Sequence, residues 1–154
     1  MITSLIRPPK KSIFGIHDPK GIKFIFQLRL GLSPLKSHKK RHNFSDTPSD
    51  WCDCLSAPED RSHFILHCTK FNSGRLKLLN DVNVILNIYN LSILANNFEV
   101  FLYGHHTFST NNNRSIILAT ISFIKDTGRF SWLTVVHQEW FCALPFSSSP
   151  SCTT

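Results

Sequence analysis

Three cysteines and one histidine lie close together in the middle of this chain, and their spacing constrains the surrounding segment more than any other feature does. Residues 51–68 read WCDCLSAPEDRSHFILHC. One residue separates Cys52 from Cys54, eight separate Cys54 from His63, and four separate His63 from Cys68. Three thiols and one imidazole make a complete tetrahedral ligand set for Zn²⁺. The segment therefore predicts a zinc knuckle with these four residues as its ligands.

Two alternatives to this interpretation stay open. Zinc turns more often have about two to four residues between paired cysteines, so Cys52 and Cys54 could be free thiols beside a surface histidine. His67 is a second candidate for the nitrogen ligand, because it lies four residues from His63 on one helical face. Since His67 directly precedes Cys68 and adjacent ligands are geometrically awkward, His63 is the preferred ligand.

The chain reads as one intracellular domain. Its 154 residues, 42% of them hydrophobic, are enough for a modest core. Its first residues contain no secretory signal, and no run of about 20 apolar residues could cross a membrane. We therefore expect a location in the cytoplasm or nucleus without membrane contact. In that setting a cysteine cluster indicates metal binding rather than disulfides, and the distant Cys142 and Cys152 look incidental.

Basic side chains are concentrated in the first third of the chain. Residues 1–43 carry ten Lys or Arg against one acidic residue, whereas residues 44–154 carry seven against nine. The densest basic group comes just before the cysteines and consists of Lys36, Lys39, Lys40 and Arg41. Such a surplus predicts a surface that faces RNA or DNA. An ordinary solvated face accounts for this group about equally well.

The hydrophobic periodicity predicts a mainly α-helical fold, a small helical domain over residues 19–130. Expected helices cover residues 19–32, 34–42, 59–66, 71–86, 91–103 and 111–128, with a strand as the competing interpretation of the first. Ser33 is expected to cap the second helix, and Arg75 to lie on the outside of the fourth. Residues 1–18 are predicted to be an extended lead-in, and residues 131–154 a disordered tail.

Nothing in the sequence indicates catalysis. There is no Gly-rich phosphate loop, no nucleophile elbow, and no pair of acids spaced to hold two metal ions. Four protein ligands would fill the zinc coordination shell, which is typical of a structural site rather than a catalytic one. The pair His105 and His106 has no cysteine or carboxylate at a useful spacing and is expected in a solvated loop. We therefore predict that the chain is not an enzyme.

Several motifs, taken in order, resemble the region that follows the polymerase domain in reverse transcriptases of non-LTR, LINE-like retrotransposons. They are LRLGLSPL at 28–35, HK at 38–39, HNFSDT at 42–47, the Cys-x-Cys pair, PEDxxHFxLxC at 58–68, LLND at 78–81 and LYG at 102–104. The similarity runs from about residue 6 to about residue 130, and the knuckle is its most specific part. It implies zinc ligands at the four knuckle positions and a role in positioning template RNA or target DNA.

The polymerase's aspartate motif and any endonuclease are missing from this chain, which departs from the whole retrotransposon protein. We therefore expect a non-catalytic, zinc-stabilised, nucleic-acid-binding remnant, whose further partner would be a polymerase domain absent from the chain. The alternative function is a vestigial or protein-interaction helical domain with structural zinc and no nucleic-acid binding.

Overall fold

The computed structural model describes residue 13 and residues 15–130. Within that part the chain is helical and forms no β-strand, so the predicted mainly α fold is confirmed. An isolated β-bridge pairs Trp51 with Pro58. The predicted tail at 131–154 and most of the predicted lead-in lie outside the described residues. None of the helices that the structure describes is long and apolar enough to span a membrane.

The described chain contains five α-helices and three shorter helical segments. The α-helices are α1 (Pro19–Leu30), α2 (Lys36–Arg41), α3 (Asn72–Ile88), α4 (Phe98–Tyr103) and α5 (Thr110–Asp126). A π-helix covers His63–His67, and 3₁₀-helices cover Thr69–Phe71 and Ser92–Asn96. The π-helix, which follows Cys54 and precedes α3, is the segment on which the metal centre depends.

Helix α1 carries start and stop signals at both ends. The Asp18 carboxylate accepts a hydrogen bond from the backbone N–H of Gly21 at 3.0 Å, and Pro19 occupies the first helical position. Gly31 ends the helix with a φ of 69°, a left-handed conformation that glycine adopts without steric cost. The helical interpretation of this segment is therefore confirmed, and the competing strand interpretation is wrong.

The start of α2 differs from the prediction. The helix begins at Lys36 with Leu35 as its N-cap, so the predicted capping role of Ser33 is wrong. The Glu59 carboxylate instead accepts a hydrogen bond from the backbone N–H of Lys36 at 2.8 Å. The Ser33 hydroxyl is hydrogen-bonded to Nδ1 of the buried His38. A residue 23 positions away caps this helix, and local sequence signals cannot reveal such a partner.

The predicted helix over residues 91–103 is two separate pieces. A 3₁₀-helix ends at Asn96, and α4 begins at Phe98. Between them the Asn97 side chain accepts a hydrogen bond from the backbone N–H of Glu99 at 3.0 Å. An asparagine that caps a new helix also interrupts the preceding one, because its own backbone is extended. Gly104 follows the end of α4, as predicted.

Helix α5 lies at the centre of the fold and contacts α1, α3 and α4. Its buried side chains are Asn113, Ile116, Ile117, Thr120, Ile121, Phe123 and Ile124. Phe64 of the π-helix is fully buried, with its ring centroid 5.5 Å from that of Phe123 and 5.7 Å from that of Phe130. Burying one such ring contributes about 2–3 kcal/mol, so the segment that carries His63 is anchored to the main core.

Candidate metal centre

The first two cysteines lie in a closed loop over residues 50–59. The backbone N–H of Cys52 donates to the carbonyl of Ala57 at 3.0 Å, and that of Glu59 donates to the carbonyl of Asp50 at 2.7 Å. These two hydrogen bonds close the base of the loop. Because the loop is short, both thiols project from one compact piece of backbone.

The π-helix brings His63 and Cys68 to the same face of the chain. In an α-helix, residues five positions apart point about 140° away from each other. A π-helix has a wider turn with hydrogen bonds from residue i+5 to residue i, and here the N–H of Cys68 donates to the carbonyl of His63 at 2.7 Å. The Asp60 carboxylate accepts from the N–H of His63 at 2.7 Å. The spacing of four intervening residues therefore corresponds to one π-turn.

The structure brings the four predicted ligands together. One ligand atom from each of Cys52, Cys54, His63 and Cys68 lies within 4.8 Å of the others. The Sγ atoms of Cys52 and Cys68 are 3.6 Å apart, and Sγ of Cys54 is 3.1 Å from Nε2 of His63. These residues could hold a metal ion. His67 is exposed and is not among the convergent residues, so the structure favours His63 as the nitrogen donor.

The three thiols have different environments. Burial raises the pKa of Cys52 to about 12 and also raises the pKa of Cys68. The Ser56 hydroxyl lies 3.0 Å from Sγ of Cys54, and this hydrogen bond, with further ones from the Ser56 backbone, Cys52 and His63, lowers the pKa of Cys54 to about 5. A metal ion needs thiolates, so its binding displaces protons from Cys52 and Cys68 at neutral pH. Metal affinity should therefore rise with pH in this range.

Arg75 closes the end of the π-helix and was missed by the sequence analysis, which placed it on the surface. Its side chain is only 5% exposed. The guanidinium donates to the carbonyls of Ile65 at 2.9 Å, Cys68 at 2.6 Å and Phe64 at 3.4 Å. No carboxylate pairs with it in the part of the chain that the structure describes.

The spacing of α3 gives the signal that could have located this arginine. The buried positions of α3 are Arg75, Leu78, Val82 and Leu86, which follow one helical face. Leu76, the apolar residue next to Arg75, is instead 63% exposed. The helical face that carries Leu78, Val82 and Leu86 includes residue 75 one turn earlier. The spacing of these three apolar residues therefore predicts that Arg75 is buried.

An ion pair between a buried carboxylate and a partly exposed guanidinium joins the cysteine loop to the segment that follows α5. Glu59 is 3% exposed, and its two carboxylate oxygens accept from Nε and Nη2 of Arg129 at 2.7 Å and 2.6 Å. The same arginine donates to the carbonyl of Pro34 at 3.1 Å. Because Glu59 also caps α2, it connects three segments that are distant in sequence. Nothing in the sequence pattern identified this pair.

The four predicted nucleic-acid-binding residues divide into two pairs. Lys36 forms an ion pair with Asp53, and Lys39 forms one with Asp46 at 2.5 Å. Lys40 instead donates to a backbone carbonyl, that of Pro48, at 3.0 Å, and Arg41 is exposed. Lys36 and Lys39 therefore fasten α2 to the segment around the cysteines, whereas Lys40 and Arg41 keep their charge for a solvent or anionic partner.

Two other histidine groups of the described chain do not belong to this site. Burial lowers the pKa of His38 to about 4, so its imidazole is neutral at neutral pH. The rings of His105 and His106 lie 4.2 Å apart between centroids, and His105 Nδ1 is 2.8 Å from the Thr107 hydroxyl. Within residues 15–130 these histidines join no convergent group of three or more potential metal ligands.

Comparison with known proteins adds no relative to this description. No family model, curated protein or solved structure matches the chain. The resemblance to the LINE-like reverse-transcriptase region therefore rests on the sequence motifs and stays a prediction. The helical fold and the convergence of the four potential ligands stand on the structure itself.

Proposed function

We propose that this chain is a non-catalytic, zinc-stabilised module that binds RNA or DNA, a remnant of the region after the polymerase domain in a LINE-like retrotransposon protein. The observation that carries the proposal is the convergence of Cys52, Cys54, His63 and Cys68 within 4.8 Å, beside a basic helix. A polymerase domain on another chain would be its second partner.

The donor atoms fit Zn²⁺ in type and spacing. A tetrahedral zinc ion with Zn–S bonds of about 2.3 Å separates two thiolate sulfurs by about 3.8 Å, close to the 3.6 Å between Cys52 and Cys68. Three sulfurs and an imidazole nitrogen favour zinc over the oxygen-seeking Mg²⁺ and Ca²⁺. When bound, zinc would crosslink the loop over residues 50–59 to the π-helix. Four protein ligands leave no open position for substrate, which supports a structural role.

The nucleic-acid part of the proposal depends on α2. Lys36 and Lys39 hold this helix against acids at 53 and 46, so the cysteine loop and the helix form one surface. Lys40 and Arg41, which have no acidic partner among the described residues, supply charge for phosphate contacts on that surface. This arrangement supports binding through Lys40 and Arg41, with Lys36 and Lys39 as positioning residues.

Metal content tests the first half of the proposal. Native mass spectrometry should find one zinc per chain, reduced in Cys54→Ser because a ligand is lost. Cys142→Ser is the matched control, since this cysteine lies far from the cluster in sequence. One tightly bound zinc in a Cys54→Ser, Cys68→Ser double variant would refute the metal centre.

Salt-dependent binding tests the second half. A labelled single-stranded oligonucleotide should bind at low salt, and each lost phosphate contact should reduce the slope of log K against log salt by about 0.7. Lys40→Glu and Arg41→Glu should weaken binding, while Lys77→Glu, an equal charge change at an exposed position on α3, should matter much less. Equal effects of all three variants would remove α2 from the interface.

One observation favours a second candidate function, a helical protein-interaction domain with structural zinc. Half of the basic group is already neutralised by acids of the same chain, which reduces the charge available to a polyanion. In that case the metal test would succeed, and no oligonucleotide would bind even at low salt.

A further inference from the structure

An exposed tryptophan lies next to the buried first ligand of the metal centre. Trp51 is 51% exposed, whereas the adjacent Cys52 is 2% exposed. The backbone of Trp51 is held in place, because its N–H donates to the Ser49 hydroxyl at 3.2 Å and it forms the isolated bridge with Pro58. A large aromatic side chain thus projects from a closed loop whose backbone is already ordered. Binding through it would cost little additional conformational entropy.

A second apolar side chain projects from the same loop. Leu55 is 81% exposed and has a φ of 62°, a left-handed conformation that is sterically unfavourable for a residue with a Cβ. Its N–H donates to the carbonyl of Cys52 at 2.9 Å, which holds it in that turn. The loop therefore presents both a tryptophan and a leucine to solvent while burying its first thiol.

Cations lie on both sides of Trp51 along the chain. Three residues before it, the carbonyl of Pro48 accepts from the ammonium of Lys40, which places this contact within about 11 Å of Trp51 along the backbone. Two residues after it, Asp53 is paired with both Lys36 and Lys70, the latter at 3.7 Å, so one positive charge remains in excess there. The backbone on both sides of Trp51 thus contacts groups that could hold phosphates.

We propose that Trp51 is a stacking platform for an unpaired base of single-stranded RNA or DNA, with Lys40 and the more loosely paired Lys70 contacting the adjacent phosphates. This inference rests on the proposed nucleic-acid binding and specifies the class of strand. An aromatic face flanked by cations is the arrangement by which proteins hold single strands without sequence preference. Bases in a duplex already stack on each other and leave no free face for Trp51. The flanking charge favours this partner over an apolar protein surface.

The fluorescence of Trp51 provides a direct test. The chain has three tryptophans, so a Trp132→Phe, Trp140→Phe background leaves Trp51 as the sole reporter in the full-length, zinc-loaded protein. Titration with a 12-nucleotide oligothymidylate should quench this fluorescence, because stacking brings the base into contact with the indole. A 12-base-pair duplex should cause much less quenching at equal occupancy.

Substitution provides the second arm. In the native background, Trp51→Ala should weaken oligothymidylate binding by about 5- to 100-fold, whereas Trp51→Phe should keep most of the affinity because it retains a ring. Leu76→Ala, which truncates an exposed apolar residue on α3, is the matched control and should have no effect. Zinc stoichiometry of each variant establishes that the loop is still formed.

The possible failures are distinguishable from each other. If oligothymidylate binds and Arg41→Glu weakens it, but Trp51 is neither quenched nor sensitive to substitution, the stacking platform is refuted and the proposed function stands. If saturating oligothymidylate leaves the fluorescence of Trp51 unquenched, whereas a bound protein shields the indole from solvent, the surface binds protein. The platform is then again refuted. If no oligonucleotide binds at low salt, both proposals fall together.

Discussion

Arg75 connects helix α3 to the metal centre through three backbone carbonyls. The last residues of a helix leave carbonyls without intrahelical partners, and a buried π-helix cannot rely on water for them. The guanidinium supplies these hydrogen bonds at Phe64, Ile65 and Cys68. Its charge also suits its location, since three thiolates and one Zn²⁺ together carry a net charge of −1. One side chain thus completes the π-helix and balances the proposed site.

Replacing Arg75 tests this role. Arg75→Met should lower the free energy of unfolding by about 2–4 kcal/mol, because buried carbonyls lose their donors. It should also weaken zinc binding by about 10- to 100-fold, as loss of partners around a metal site commonly does. Chemical denaturation and competition with a chromophoric chelator measure the two effects.

Two further variants separate the possible reasons for such a loss. Lys77→Met removes the same charge from an exposed position two residues away and should change neither quantity much. Arg75→Lys keeps the charge but cannot reach several carbonyls at once. If Arg75→Lys behaved like the wild-type protein, charge alone would suffice and the hydrogen-bonding explanation would be wrong.

The π-helix is the element that converts the sequence spacing into a site. Its wider turn accommodates the four residues between His63 and Cys68, and Phe64 fixes it to the core. An ordinary α-helix would also place ligands on one face if only three residues separated them. The segment between His63 and Cys68 should therefore tolerate the loss of one residue better than the gain of one.

Insertion and deletion at the exposed His67 should have unequal effects. Inserting one alanine between His67 and Cys68 moves the last thiol away from the face of His63 and should reduce zinc affinity by more than about 100-fold. Deleting His67 permits an α-turn with both ligands still on one face and should cost less. Chelator competition compares the two proteins. Equal losses would mean that the helical geometry of this segment does not position the ligands.

At the scale of the whole molecule, two charged contacts hold the π-helix and the cysteine loop against the helices. Arg75 links the π-helix to α3, and the Glu59–Arg129 pair links the loop, α2 and the segment after α5. The metal centre is therefore an integral part of the core rather than an appended loop. Removal of a bound metal ion should therefore lower the free energy of unfolding of the entire described region.

The Glu59–Arg129 pair can be tested by its effect on folding. Glu59→Gln leaves the guanidinium with a neutral partner and should destabilise the protein by about 3 kcal/mol, in the range typical for breaking a buried pair. Lys125→Met breaks the more exposed pair between Lys125 and Asp18 and should cost less than about 1 kcal/mol.

A double variant with both Glu59→Gln and Arg129→Gln separates pairing from packing. It should recover part of the loss, because neither charge is then left alone. Urea denaturation at fixed zinc concentration compares the wild-type protein, Glu59→Gln, Arg129→Gln and the double variant. A double variant whose loss equals the sum of the single losses would show that the two side chains act independently.

Several features of this protein could be predicted from local sequence. Helix α1 has Asp18 and Pro19 directly at its start and Gly31 directly after its end, and it begins at the predicted residue but ends at Leu30, two residues before the predicted end. The four potential metal ligands are equally local, because 17 residues contain all three thiols and the imidazole. Residue type and spacing carry such signals, since capping and ligation depend on chemistry that short segments already contain.

Other features depend on the tertiary structure. Glu59 replaced Ser33 as the cap of α2, Arg75 turned inward, and two of the predicted nucleic-acid-binding lysines, Lys36 and Lys39, became partners of nearby acids. The sequence alone determined the helical class, the four potential metal ligands and the surplus of basic residues. Only folding decided which charges are buried, paired or exposed, because a charged side chain takes its partner from whatever segment packs beside it, regardless of distance along the chain.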